Sequence, residues 1–420
     1  MKKPKRVFKE KLLIIVLAIV LTFGVSWFAY NNSNFIFSTL SAIREAGIQL
    51  ASVILSHNFK TVAEIKSHYD DPQKKVRILI VPGHEPNYSG AEFNGIKERD
   101  MAVELGQSLQ QFLENDPHYQ VFITRDMHDW NPIFSNYYKN DWGNIVEWVK
   151  ASKEEFSRLV SIGSTTRTFS TVFHNDAAPN PAIRLYGLTK WANENDIDIV
   201  IHIHFNDNRR RDTSKPGDYS GFSMYVPASQ YGNSTTTKVI ASDIFKRLSK
   251  YNAVSDLPGE TEGIIDEPEL IAVGSNNTAD AASILIEYGY IYEPQFQDSN
   301  VRNISIKDLA YQTYLGLQDF FDPVGNAKLA RTYDTLVLPY KWNGPIVSNQ
   351  AAAADVFALQ TALIFDGVYP PSGKTKNDCP RTGMIGFCTK TSLGVFQTKY
   401  GIVGETGVAG ERTLEALNRI

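Results

Sequence analysis

Cysteine is nearly missing. The 420 residues hold two, Cys379 and Cys388, both near the C-terminus. No Cys-x-x-Cys occurs, which leaves no thiolate metal cage to consider. In an oxidising compartment the two can pair and close a short loop. The alternative is two free thiols in a small domain. A basic surplus is missing as well. The net charge is −4, whereas a nucleic-acid binder is normally basic, so no nucleic-acid partner is expected. Charge of either sign is missing from 12–30, an apolar run long enough to cross a bilayer as a helix. Lys2, Lys3, Lys5, Arg6, Lys9 and Lys11 precede it, which predicts a cytoplasmic N-terminus. A small-x-small cleavage site is missing too, because Trp27 and Phe28 stand where small residues belong. The pattern favours an uncleaved single-pass membrane anchor over a removed signal peptide. On either reading, the chain beyond residue 31 is exported.

What is present is otherwise ordinary for a globular protein, with 43% hydrophobic and 21% charged residues. The length allows two or three domains. Phe35, Phe37, Leu40, Ile43, Ala46 and Leu50 at helical spacing predict a juxtamembrane stalk over 32–75. Strands are then predicted at 76–81, 119–124, 199–206, 221–227 and 283–287. Helices are predicted from Glu98, over 142–160, over 184–195 and around Ile240, Ile244 and Leu248. The last helix of the unit carries Ile306, Ala310, Leu317 and Phe321. Strands alternating with helices predict an α/β domain over 76–322. Pro323, Pro339 and Pro345 without a clear period predict a linker over 323–350.

Residues 351–420 repeat internally. Val356, Leu359, Gln360, Thr361, Leu363 and Gly367 recur as Leu393, Phe396, Gln397, Thr398, Tyr400 and Gly404. Thr382-Gly-Met-Ile-Gly-Phe-Cys-Thr389 recurs as Thr406-Gly-Val-Ala-Gly-Glu-Arg-Thr413. This predicts a small helical domain of duplicated units.

The 199–206 strand carries two imidazoles, His202 and His204, on one face. At the carboxyl end of a strand in an open α/β sheet, such groups commonly belong to a site. His84 follows a Pro-Gly turn, Glu98 opens a helix and Glu287 ends the apolar run Ser283-Ile-Leu-Ile. Two imidazoles and a carboxylate form a common catalytic zinc set with an open position for water. His84, Glu98 and His204 can supply it, with Glu287 as the proton-transferring carboxylate. Each residue also has a plain structural reading. His84 can be a turn residue, Glu98 can serve the helix dipole, and one of the paired histidines can be packed or support the other. Glu287 is harder to explain that way, because a carboxylate within an apolar strand is costly unless paired. His57, His68, His118, His128 and His174 read as surface or structural. Asn206 and the run Arg209, Arg210 and Arg211 follow the strand, where they could meet substrate or lie in a solvated loop.

Val81-Pro-Gly-His84, the Glu98 helix start, Thr124-Arg125, Ala192-Asn193, Asp198 to Asn206 and Ile286-Glu287-Tyr-Gly-Tyr290 resemble, in this order, the zinc-dependent N-acetylmuramoyl-L-alanine amidases. The resemblance covers 76–322. It implies a mixed sheet with helices on both faces, zinc on His84, Glu98 and His204, and Glu287 as the catalytic residue. The implied substrate is the amide joining muramic acid to the first L-alanine of the peptidoglycan stem. The sequence departs from the family at Val81, at Glu85-Pro86 and at His202, and by a longer segment over 129–183. That insert is too rich in aromatics to be disordered. It predicts either a helix gating the zinc or a subdomain on the back of the sheet. Residues 351–420 resemble a small peptidoglycan-binding domain of wall hydrolases; simple packing is the other reading. The expected protein is thus a membrane-anchored wall amidase serving wall remodelling or daughter-cell separation. A zinc peptidase on the stem and a non-catalytic wall-binding protein are the alternatives. A regulatory protein partner is compatible with the sequence but not specified by it.

Overall fold

The computed structural model describes residues 58–175, 177–208, 211–328, 334–342, 344–346 and 352–419. The predicted anchor and most of the stalk lie outside the described residues. Among the described residues no helix is long and apolar enough to cross a membrane. Phe59–Ser157 and Thr166–Ile420 make one compact unit, and Arg158–Thr165 is grouped apart from it.

In chain order the catalytic region runs α1 (Val62–Asp70), β1 (Val76–Pro82), β2 (Glu92–Phe93), β3 (Ile96–Lys97), α2 (Glu98–Glu114), β4 (Tyr119–Ile123), α3 (Pro132–Ser161) and α4 (Pro179–Glu194). It continues with β5 (Ile199–Asn206), β6 (Ser223–Pro227), α5 (Ser234–Tyr251), β7 (Ile264–Glu267), β8 (Ala282–Tyr290), α6 (Pro294–Gln297) and α7 (Ser299–Phe321). Six strands form a sheet in the order β4-β1-β5-β8-β6-β7. The first four are mutually parallel, while β6 runs antiparallel to β8 and parallel to β7. The expected mixed sheet flanked by helices is therefore present.

Strand alternation sorts the two faces. Ile78, Ile80, Ile201, Ile203, Met224, Ile284 and Ile286 point to one face and share a core with Leu105 and Leu109 of α2, Ile240 and Ile244 of α5 and Leu317 of α7. Leu79, Val81 and Val200 point to the other and pack with Phe134, Ile145 and Val149 of α3 and Trp191 of α4. The long α3 fills the first part of the predicted 129–183 insert and begins ten residues ahead of the 142–160 helix expected there. Pro132 sits in its first turn, where a missing N–H costs nothing, and the Asn131 Oδ1 accepts from the Ile133 N–H at 3.1 Å. The insert's α3 packs on the sheet as core, as a structural subdomain would. The face it packs on carries Val200, and by alternation His202 and His204.

After α8 (Pro323–Lys328) the segment read as a linker is far from free: Thr335, Val337 and Leu338 are buried. The C-terminal region has α9 (Ala353–Phe365), α10 (Phe387–Lys399) and α11 (Glu411–Leu417), and Cys379 and Cys388 are joined by a disulfide. Its internal repeat has a physical basis. Gln360 accepts from the Thr382 and Gly383 N–H groups, both at 2.9 Å, and donates to the Thr389 hydroxyl at 3.0 Å. Gln397 accepts from the Gly407 N–H at 3.0 Å and donates to the Thr413 hydroxyl at 2.9 Å. Each buried amide is thus satisfied by the Thr-Gly-x-x-Gly-x-x-Thr loop that follows it in the chain.

Candidate active site

The carboxyl ends of β1, β5 and β8 meet the start of α2. Gly83 turns the chain after β1. A Cβ there would stand 2.6 Å from His204 Cε1 and 2.7 Å from His204 Nδ1, so only glycine lets the turn pass the β5 imidazole. His84 comes next with φ 65°, a left-handed backbone costing a non-glycine residue roughly 1–3 kcal/mol and kept only where the surroundings enforce it. The loop then crosses back over the site at Gly90, whose φ is +68° and where a Cβ would overlap His84 and Glu98.

His84, Glu98 and His204 converge, with their ligand atoms all within 4.8 Å of one another. Glu98 Oε1 lies 3.0 Å from His204 Nδ1 and accepts the Phe205 N–H at 3.2 Å. Glu98 Oε2 accepts the Ala91 N–H at 2.9 Å and lies 2.6 Å from His84 Nε2. Burial alone would raise the Glu98 carboxyl, but the two imidazoles outweigh it and hold the group far below the usual carboxylate range. Burial pushes His204 down toward its neutral form, against the pull of Glu98. Neutral imidazole and ionised carboxylate are the forms that ligate a metal.

Glu287 stands directly across from His204 in the β5–β8 register. Burial, followed by the nearby Glu98 and Glu260 carboxylates, raises its carboxyl well above the usual range. Glu260 is wholly buried. It accepts from the Tyr225 hydroxyl, from the Tyr290 hydroxyl at 3.4 Å and from Asn206 Nδ2 at 3.3 Å.

Two features fit a divalent cation. His84 Nε2 is buried and lacks a hydrogen bond although it lies 2.6 Å from a carboxylate oxygen, the situation of two donor atoms aimed at one centre. Glu287 Oε2 is likewise enclosed without a partner. Ligands held about 2 Å from one zinc ion stand roughly 3–4 Å apart; this trio, with pairs at 2.6 and 3.0 Å and all ligand atoms within 4.8 Å, brackets that separation.

The remaining expected contacts fall elsewhere. His202 is buried beneath α4 with Nδ1 unpartnered. Burial first, and the His204 charge second, push it down to about 3. It borders a small cavity with Thr189, Asn193 and Ser283. Asn206 is spent internally, donating to Glu260 and accepting from the Asp207 N–H at 2.8 Å. The Arg211 side chain is 4% exposed and bonds Asp207 at 2.5 Å and the Glu92 carbonyl at 2.9 Å. It also stacks over Phe93, so it supports the loop rather than facing substrate. Arg209 and Arg210 lie outside the described residues.

Three groups that sequence reasoning left without a role stand close by. Glu260 is one. Glu85, next to His84, pairs bidentately with Arg184 of α4 at 2.6 and 2.8 Å. Arg125, just past β4, binds the His84 carbonyl at 2.8 Å. Arg125 entered the sequence reading only within the Thr124-Arg125 motif of the family resemblance, with no role attached to it.

Two imidazoles and a carboxylate at the carboxyl edge of a mixed sheet, with a second carboxylate beside them, are the equipment of a metal-assisted hydrolase. The chain belongs to the N-acetylmuramoyl-L-alanine amidase family, whose profile (Amidase_3) matches residues 78–319. It is therefore an amidase of peptidoglycan. No curated protein matches it. Among solved structures it is similar to the N-acetylmuramoyl-L-alanine amidase of Clostridium difficile 630, at 15% identity over 60% of this chain and 99% of that one, with a TM-score of 0.37. It is also similar to the CwlD amidase of Clostridioides difficile, solved with the GerS lipoprotein, at 14% identity over 59% and 100% and a TM-score of 0.37. The apo amidase Ami1 of Mycobacterium abscessus gives 14% identity over 57% and 97% and a TM-score of 0.38.

Proposed function

We propose that this amidase is zinc-dependent and cleaves the amide between N-acetylmuramic acid and the L-alanine of the stem peptide, in wall remodelling or daughter-cell separation. The observation that carries the reading is the convergence of His84, Glu98 and His204 beside Glu287. Zinc, when bound, supplies a Lewis acid for the amide carbonyl and an acidified water. The chain's own residues do the rest. His84 and His204 would each present a ring nitrogen to the ion, and Glu98 a carboxylate oxygen between them. Glu287 takes the proton of the attacking water and returns it to the leaving amine nitrogen, so one carboxylate serves as base and then as acid. Its raised affinity for a proton suits the second half of that cycle. The charge-free 12–30 run behind a basic head supports a single-pass anchor with the catalytic region facing the wall. Residues 351–420 are read as a peptidoglycan-binding domain on the strength of their repeat and their place on a wall hydrolase.

The test is product identity. The purified protein is incubated with peptidoglycan and the new ends are identified by mass. Freed L-alanine amines support the proposal. Other new amines indicate a stem peptidase, and no release after zinc addition indicates a non-catalytic wall protein.

A further inference from the structure

Arg125 is 1% exposed, among the largest wholly buried side chains of the protein. Its donors go to backbone carbonyls. Nε donates to the His84 carbonyl at 2.8 Å, Nη2 to the Gly83 carbonyl and to the Arg99 carbonyl at 3.0 Å, and Nη1 to the Asp126 carbonyl at 3.1 Å. Among the described residues it makes no ion pair with a carboxylate. A buried guanidinium held by carbonyl dipoles alone is an expensive arrangement, so the segments it joins are informative. Gly83 and His84 form the turn that carries one ligand. Arg99 is the residue after Glu98, which carries another. One planar group, delivered from the end of β4, thus bolts two ligand-bearing segments together.

We propose that Arg125 is a positioning residue for the metal centre: its guanidinium fixes the His84 turn against the Glu98 helix start and so sets the spacing of two of the three ligands. This rests on the reading that His84, Glu98 and His204 bind zinc. The left-handed backbone of His84 needs enforcing surroundings, and the bond to its own carbonyl supplies one. Lysine cannot do the same work. Its ammonium is a point donor, whereas the guanidinium fork reaches carbonyls on both segments at once.

The experiment measures zinc affinity by competition with a chelating chromophore, together with the visible spectrum of the cobalt form, for the full-length protein and for Arg125→Lys and Arg125→Ala. Melting of the metal-free proteins is followed in parallel. Expected is a folded Arg125→Lys with zinc affinity lowered about 10- to 100-fold, as for other groups that orient ligands, and an altered cobalt spectrum. Millimolar guanidinium ion should restore part of the affinity in Arg125→Ala, and ammonium should not. Unaltered affinity and spectrum in Arg125→Lys overturn the proposal. So do variants that fold only when guanidinium is present, because the side chain then supports the fold at large. An unaltered protein without zinc affinity is a different failure: it removes the zinc reading itself.

Discussion

His202 and His204 occupy one face of one strand, and the sequence offers both as ligands. Their neighbours separate them. His204 meets Glu98 at 3.0 Å, while His202 lies under α4 with no carboxylate against it. That difference depends on Glu98, 106 positions from His204, so sequence spacing alone could not decide it; the family resemblance pointed to His204. His204→Ala should lose zinc and activity together, and His202→Ala should keep one bound zinc per chain. Equal zinc loss in both, measured by metal analysis after dialysis, would count against the assignment. Glu287→Gln should retain zinc while activity falls roughly 100- to 10,000-fold, the usual weight of a general acid–base group. Activity near that of the unaltered protein would remove Glu287 from proton transfer. Asn206 and Arg211 show the opposite limit of sequence reading. Their types suit substrate contacts, yet each is committed to partners inside the protein.

At the scale of elements, most of the sheet was legible because its strands are apolar runs bounded by turn residues. The helix starting at Glu98 was legible from its apolar period. The edge strand β7 was not, because Ile264–Glu267 is short and half acidic. The start of α3 was hidden by aromatics that read as irregular until the sheet supplied a surface for them. Phe134, Ile145 and Val149 are buried on that surface, and Gly187 of α4 comes close to Ile145 and Tyr138. This is core packing rather than a loosely laid cover. Ile145→Ala should therefore destabilise the protein by about 2–5 kcal/mol. Trp148→Ala should lower the melting temperature without raising activity on soluble muropeptides. A gain of activity at unchanged stability would restore the gating role.

At the scale of the whole molecule, the sequence suggested a catalytic region and a C-terminal domain joined by a linker. The interface between them is instead built like an interior. Arg381 bonds Asp308 of α7 at 2.9 Å and Thr361 at 3.1 Å. It lies over Phe357 and Tyr251, and both charges are buried. Val301 of α7 shares a core with Val337, Phe357 and Ala358. None of this shows in local periodicity, because an ion pair 73 positions apart leaves no pattern. Arg381→Ala strands a buried carboxylate and should cost about 3–5 kcal/mol; a change below about 1 kcal/mol in denaturant melts would mean the two regions are held otherwise. Removing 351–420 should lower the stability of the catalytic region as well as its sedimentation with wall. Asp334 supplies a pH signature of the same region. Burial would raise it, but Lys250 and Tyr251 bring it below its ordinary value. A carboxyl lowered in the folded state contributes stability above its unfolded pKa of about 4, lost as pH falls through the folded value. Asp334→Asn should flatten that acid-side loss, and an unchanged pH–stability curve would contradict the assignment.

The central claim is that His84, Glu98 and His204 jointly hold one zinc ion beside Glu287. Anomalous scattering from crystals of the zinc-loaded protein, recorded on both sides of the zinc edge, addresses it directly. One strong peak bounded by those three side chains, with Glu287 next to it, is expected. A peak elsewhere, for example at His174 and Glu267, or no peak in protein that cleaves peptidoglycan, would contradict it.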